Sequence, residues 1–141
     1  MAHSHSSLNE PIVVGPEIEP AQISRYLQRC EKNHDHSRLD DNRLYHTRIE
    51  ISLIDTCESR IVRGSSLDRY FALSYVWGEV PMFKTTMSNR SSLEEPGSLT
   101  KIMDGIPRII QDSITLVLAL GERYLWVDSL VRTPSRCNVN A

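Results

Sequence analysis

The stretch Tyr70-Phe71-Ala72-Leu73-Ser74-Tyr75-Val76-Trp77-Gly78, read with a second run, Tyr124-Leu125-Trp126-Val127-Asp128-Ser129-Leu130, decides the fold. Successive side chains of an extended chain point to opposite faces, so Phe71, Leu73, Tyr75 and Trp77 share one face and Tyr70, Ala72, Ser74 and Val76 the other. Bulky groups on one side and mostly smaller ones on the other predict a strand buried between two layers. The second run reads as another buried strand that turns polar at Asp128-Ser129. Between the two, Pro107 to Leu120 predicts a helix. Pro107 suits its first turn, Ile110, Ile114, Val117 and Leu118 form an apolar stripe, and Gly121 supplies a left-handed stop. Strand, helix and strand in this order predict a right-handed crossover between parallel strands, with both carboxyl ends at one sheet edge. Ligand sites of such sheets gather at that edge, so Trp77-Gly78-Glu79 and Asp128-Ser129 are expected near one another.

Working outward, Ile49, Ile51 and Leu53 alternate with Glu50, Ser52 and, in part, Ile54, the period of a half-exposed strand. Ile61-Val62-Arg63 returns beside it as an N-terminal hairpin, and Gly64-Ser65-Ser66 breaks the chain before Tyr70. From Val80 to Gly105 the chain holds Pro81, Pro96, Gly97 and many Ser and Thr residues, which predicts a long, partly structured loop of a kind that is often functional. Upstream, Ile23, Tyr26, Leu27 and Cys30 follow Pro20 at helical spacing and predict a short amphipathic helix ending near Lys32. The chain thus divides into a flexible leader over 1–19, the helix and a polar connection over 20–46, an α/β unit over 47–130, and a patternless tail over 131–141.

The 141 residues suffice for one core of ordinary domain size. Sixteen basic and eighteen acidic side chains leave a formal charge of −2, which gives no electrostatic basis for a general nucleic-acid or membrane-surface binder. No apolar run approaches the roughly 18 residues of a membrane helix, and the start lacks the basic and apolar regions of a signal peptide. Three cysteines at unrelated spacings are unlike a secreted disulfide framework. An intracellular, cytoplasmic protein with reduced thiols is the expectation.

Two groups of residues carry chemistry. Cys30, His34 and His36 offer a thiolate and two imidazoles, good zinc ligands, but their spacing is loose and no second ligand pair follows; a surface loop with incidental histidines is the better reading, and no metal is expected. Glu79 and Asp128, with Trp77, Gly78 and Ser129, make the one plausible polar pocket. A carboxylate there can hold a ribose hydroxyl, act as a base, or cap the next element by accepting backbone N–H bonds. Trp77 and Trp126 read first as core anchors, and Trp77 beside Gly78 alternatively walls a pocket. Ser74 lacks the Gly-x-Ser-x-Gly elbow of a hydrolase nucleophile, and no phosphate-binding Gly-rich loop is present. Arg108, Asp112, Glu122 and Arg123 read as solvated ends and face of the crossover helix.

The wording of these segments resembles the fungal heterokaryon incompatibility (HET) domain family. Its "ALSYVWG" strand stands here as Ala72 to Gly78, its "LP-x-x-I-x-D-A-I" helix start as Ile106-Pro107-Arg108-Ile109-Ile110-Gln111-Asp112-Ser113-Ile114, and its "LG-x-x-YLWVDSL" segment as Leu120 to Leu130. Cys30-Glu31-Lys32-Asn33-His34 is similar to the family's "C-x-x-x-H", and Thr86-Met87-Ser88-Asn89 to its "T-x-x-N". The resemblance runs from about Thr47 to Leu130 and departs from the pattern at Val131-Arg132, where the family continues with Cys-Ile; an incomplete, truncated domain, marginally stable in isolation, is the corresponding expectation. It implies a partial Rossmann-like or Toll/interleukin-1 receptor (TIR)-like sheet, and a role in non-self recognition and programmed cell death. Implied partners are proteins, a sensor domain or an allelic counterpart. Under the alternative of a TIR-like effector, NAD would be the cleaved molecule, near Glu79 and Asp128; under a third, the chain is an oligomerising scaffold without enzymatic activity.

Overall fold

The computed structural model describes residues 17, 19–34, 48–76 and 83–131. Helix α1 (Pro20–Asn33) leads to the hairpin β1 (Glu50–Asp55) and β2 (Arg60–Ser65), then β3 (Phe71–Ala72). Two short helices, α2 (Arg90–Leu93) and α3 (Ser98–Lys101), and a 3-10 turn at Met103–Gly105 precede α4 (Arg108–Ala119), β4 (Tyr124–Trp126) and α5 (Asp128–Val131). The strands form one mixed sheet in the order β2-β1-β4-β3. β1 pairs antiparallel with β2 and with β4, whereas β3 and β4 run parallel with Phe71 opposite Leu125 and Ala72 opposite Trp126. The fold is mixed α/β, with the expected hairpin and the expected strand-helix-strand crossover.

The core lies where α4 rests on the sheet. Ile54 and Leu125, opposite one another across β1 and β4, are buried with Ile110, Ile114 and Val117 of α4, and with Leu93, Leu99 and Ile106 from the connection. α4 begins after Pro107, whose carbonyl accepts from the Ile110 and Gln111 N–H groups at 2.9 and 3.2 Å. Gln111 Nε2 reaches back to the Met103 and Ile106 carbonyls, fixing the 3-10 turn against the helix start. At the other end Gly121, with φ +74°, lets the Glu122 N–H bond the Val117 carbonyl and the Gly121 N–H the Leu118 carbonyl. This paired closure satisfies helix carbonyls that would otherwise face the strand.

Several expectations need correction. Pro107 sits just before the helix, not in its first turn, and Leu118 is half-exposed at 50%, so the stripe is Ile110, Ile114 and Val117. β1 is not half-exposed, because it lies between β2 and β4, and Ser52 through Asp55 are all buried. Buried Ser52 is satisfied by Arg90 Nη2 at 2.8 Å, which ties α2 to the strand. Gly64 and Ser65 continue β2 instead of breaking it; a Cβ on Gly64 would stand 2.6 Å from Leu53 Cδ1, so only glycine fits unstrained. The Tyr70 run has the predicted alternation, Phe71, Leu73 and Tyr75 being half-buried and Ala72, Ser74 and Val76 exposed. It is not buried on both faces, however: Val76 is 93% exposed, and among the described residues β3 is an edge strand. β4 has β1 on one side and β3 on the other. Val131, placed by its sequence with the tail, closes α5 and is buried.

Candidate functional site

The parallel pair carries its carboxyl ends to a common rim. The Leu73 N–H bonds the Trp126 carbonyl at 3.0 Å and extends the β3–β4 register by one residue. One side-chain period further on, the Tyr75 hydroxyl meets Ser129 Oγ at 2.9 Å. Ser129 is buried and lies in α5, whose first turn begins at half-buried Asp128, with Val127 alone between it and the end of β4. The Leu130 and Val131 N–H groups both bond the Val127 carbonyl at 3.0 Å, which turns the chain sharply at the end of β4. Buried Thr85 donates its hydroxyl to the Leu130 carbonyl and fastens the long connection to the same rim.

That connection holds its shape through local side-chain bonds. Asn89 Oδ1 accepts from the Thr86 N–H at 2.7 Å, Asn89 Nδ2 donates to the Lys84 carbonyl at 3.1 Å, and the Asn89 N–H reaches Thr86 Oγ1 at 3.3 Å. Thr and Asn at this spacing make a self-stitched turn that presents Thr85 to α5. Their residue types follow from backbone satisfaction, with no ligand required.

Of the residues singled out from the sequence, Asp128 and Ser129 lie at the rim, while Trp77, Gly78 and Glu79 lie outside the described residues. Tyr75, assigned only to a strand face, is the partner that positions Ser129. The alternation already turned Tyr75 toward the core, but its reach to α5 depends on the strand register. Cys30 and His34 sit on α1 and its last bend, where with Tyr26, Arg29 and Asn33 they line an open cavity of about 560 Å³. None of these lining residues comes from β3, β4 or α5. His36 lies outside the described residues, and among the described ones no group of three metal-ligating side chains occurs.

The strongest electrostatic feature lies at the opposite end of β4. Asp55, 1% exposed, accepts the Cys57 and Glu58 N–H groups on Oδ1 at 3.1 and 3.2 Å, and Arg123 Nε and Nη2 on Oδ2 at 3.0 and 2.7 Å. Burial pushes the Asp55 carboxyl up, but the Arg123 fork and the two backbone donors together outweigh it and hold the carboxyl below its ordinary value. Thr56 completes the joint by bonding the Arg123 carbonyl through both its N–H and its hydroxyl, each at 2.9 Å. Arg123 is therefore not simply a solvated helix end. It locks the hairpin turn to the entry of β4, so the pair is structural and distant from the rim.

Residues 70–131 match the family model described as Heterokaryon incompatibility protein (HET). The match takes in less than half of the 141-residue chain and marks a similarity to that family over this span. The HET segment begins one residue before β3 and ends with α5, so it contains the parallel pair, its crossover helix and the whole described rim. The β1–β2 hairpin and α1 lie outside the matched span although β1 borders β4. No curated protein and no solved structure matches the chain.

Proposed function

We propose that this chain acts as a HET-type signalling module in fungal non-self recognition, passing a cell-death signal through contact with another protein in the cytoplasm. The observation that carries the proposal is the HET match over β3 to α5, which takes in the rim as a unit. The near-neutral charge balance favours a protein partner over nucleic acid. No described helix is long and apolar enough to cross a membrane, consistent with the proposed compartment. Sensor domain or allelic counterpart is the partner class we assign, and the rim around Tyr75 and Asp128, held from beneath by Ser129, is the surface we assign to it.

A second possibility, a TIR-like effector that cleaves NAD, is favoured by one observation, the meeting of two parallel strand ends beside Asp128. Under it Glu79 and Asp128 would hold the ribose or serve as the base. Inducible expression in a fungal host distinguishes the two. Death without loss of NAD, unaffected by Glu79→Ala, supports the signalling module. Death with loss of NAD, abolished by Asp128→Ala or Glu79→Ala, supports the effector and overturns the first proposal. Absence of any growth phenotype at confirmed expression overturns both.

A further inference from the structure

α1 is joined to the body of the fold in an unusual manner. It has no buried residue: Ile23 and Leu27 are half-buried, and Tyr26 is 42% exposed. Its N-terminus carries no side-chain cap, and its C-terminus closes through the His34 N–H on the Cys30 carbonyl. Among the described residues, one ion pair links it to the rest, Glu31 Oε1 with Arg69 Nη1 at 2.6 Å. The same guanidinium grips Glu122, with Nε 2.9 and 3.0 Å from its two carboxylate oxygens and Nη2 2.8 Å from Oε1. Arg69 immediately precedes Tyr70 at the entry of β3, and Glu122 stands just before β4. One arginine thus bridges the helix and the starts of both parallel strands.

From this geometry we infer that α1 is a conditional arm, docked and helical while Arg69 bridges Glu31 and Glu122, and released by anything that screens or neutralises the bridge. An isolated helix of about 12–15 residues is marginal in water, so an undocked α1 of 14 residues melts. Docking and helix formation are then one event, an order–disorder transition governed by a solvent-accessible charge contact. Arg69 and Glu31 are 56% and 50% exposed, which leaves the bridge open to salt. Such an arm responds to ionic strength or to an approaching polyanionic or polycationic partner without disturbing the core.

Amide hydrogen exchange on the full chain tests this. In the wild type, exchange across residues 24–33 is expected to quicken with added NaCl, while Leu53, Ile54 and Leu125 keep their protection. Glu31→Gln is expected to quicken exchange of the same amides about two- to fivefold at low salt and to remove the salt response. The sign is diagnostic. Glu31 lies near the negative end of the helix dipole, so neutralising it stabilises an isolated helix and by itself would slow exchange. Exchange that is slowed or unchanged in Glu31→Gln, or a salt response that survives it, overturns the inference. Glu122→Gln should quicken the same amides, and its combination with Glu31→Gln should add little, because both act through one guanidinium.

Discussion

Asp55 offers the sharpest test of how the sheet is held. In Asp55→Ala the Cys57 and Glu58 N–H groups lose their acceptor, and the fork from Arg123 has nothing to grip. Arg123 is 49% exposed and regains water, so the full cost of about 3–5 kcal/mol for stranding a buried charge does not apply. What is lost is two charge-assisted backbone contacts and a charged fork, for an expected destabilisation of about 2–4 kcal/mol. Asp55→Asn keeps an acceptor for the two N–H groups and gives up the charge, for about 1–2 kcal/mol. Urea unfolding followed by circular dichroism, with unchanged slope, reads both values. The pH dependence follows from the lowered carboxyl. Its contribution is complete above the ordinary value of 3.8 and disappears as pH falls from there through the lower folded-state value. Asp55→Asn should flatten the stability profile in that acidic window. Equal costs for Ala and Asn, or an acid profile unaltered by Asn, would refute the assignment of the joint to this carboxylate.

Two further expectations concern the core and the rim. Ile110→Ala opens a cavity where α4 meets the sheet and should cost about 2–5 kcal/mol in the same urea experiment; a loss below 1 kcal/mol would mean that α4 does not anchor the core. Tyr75→Phe removes the hydroxyl that meets buried Ser129 and should cost about 0.5–1.5 kcal/mol, with Ser129→Ala adding much less than its separate cost in a double-mutant cycle. Full additivity would show that the two strand ends are not joined at this contact.

Much of the architecture was legible because its signals are local. The two-residue period of Tyr70 to Val76 sorts the described side chains correctly onto two faces, Phe71, Leu73 and Tyr75 on one and Tyr70, Ala72, Ser74 and Val76 on the other. Pro107 and Gly121 bracketed α4 to within a residue or two. What escaped depends on distant partners. Val76 is apolar and was assigned to a covered face, yet the chain alone does not tell what lies beyond an edge strand, and that face is open. β1 looked half-exposed because its second neighbour, β4, is supplied by Leu125 and Tyr124 from the far end of the chain. Asp55 escapes notice in the sequence because its charged partner, Arg123, stands 68 residues away. At the rim, Asp128 and Ser129 were legible as polar residues ending an apolar run. Tyr75 was not, because its hydroxyl contact requires the parallel register.

The sheet order has a consequence for how this chain is made. The hairpin β1–β2 can close as soon as it leaves the ribosome, but β4 arrives only when Tyr124–Trp126 emerge, after the connection and α4 have been synthesised. At ordinary elongation rates that interval is on the order of ten seconds, far longer than hairpin closure. Throughout it, the apolar flank of β1 stands exposed to any other nascent strand. Correct vectorial assembly therefore depends on a kinetic race, and a chaperone that shields Leu53 and Ile54 during translation should raise the yield of folded protein more than one added after release.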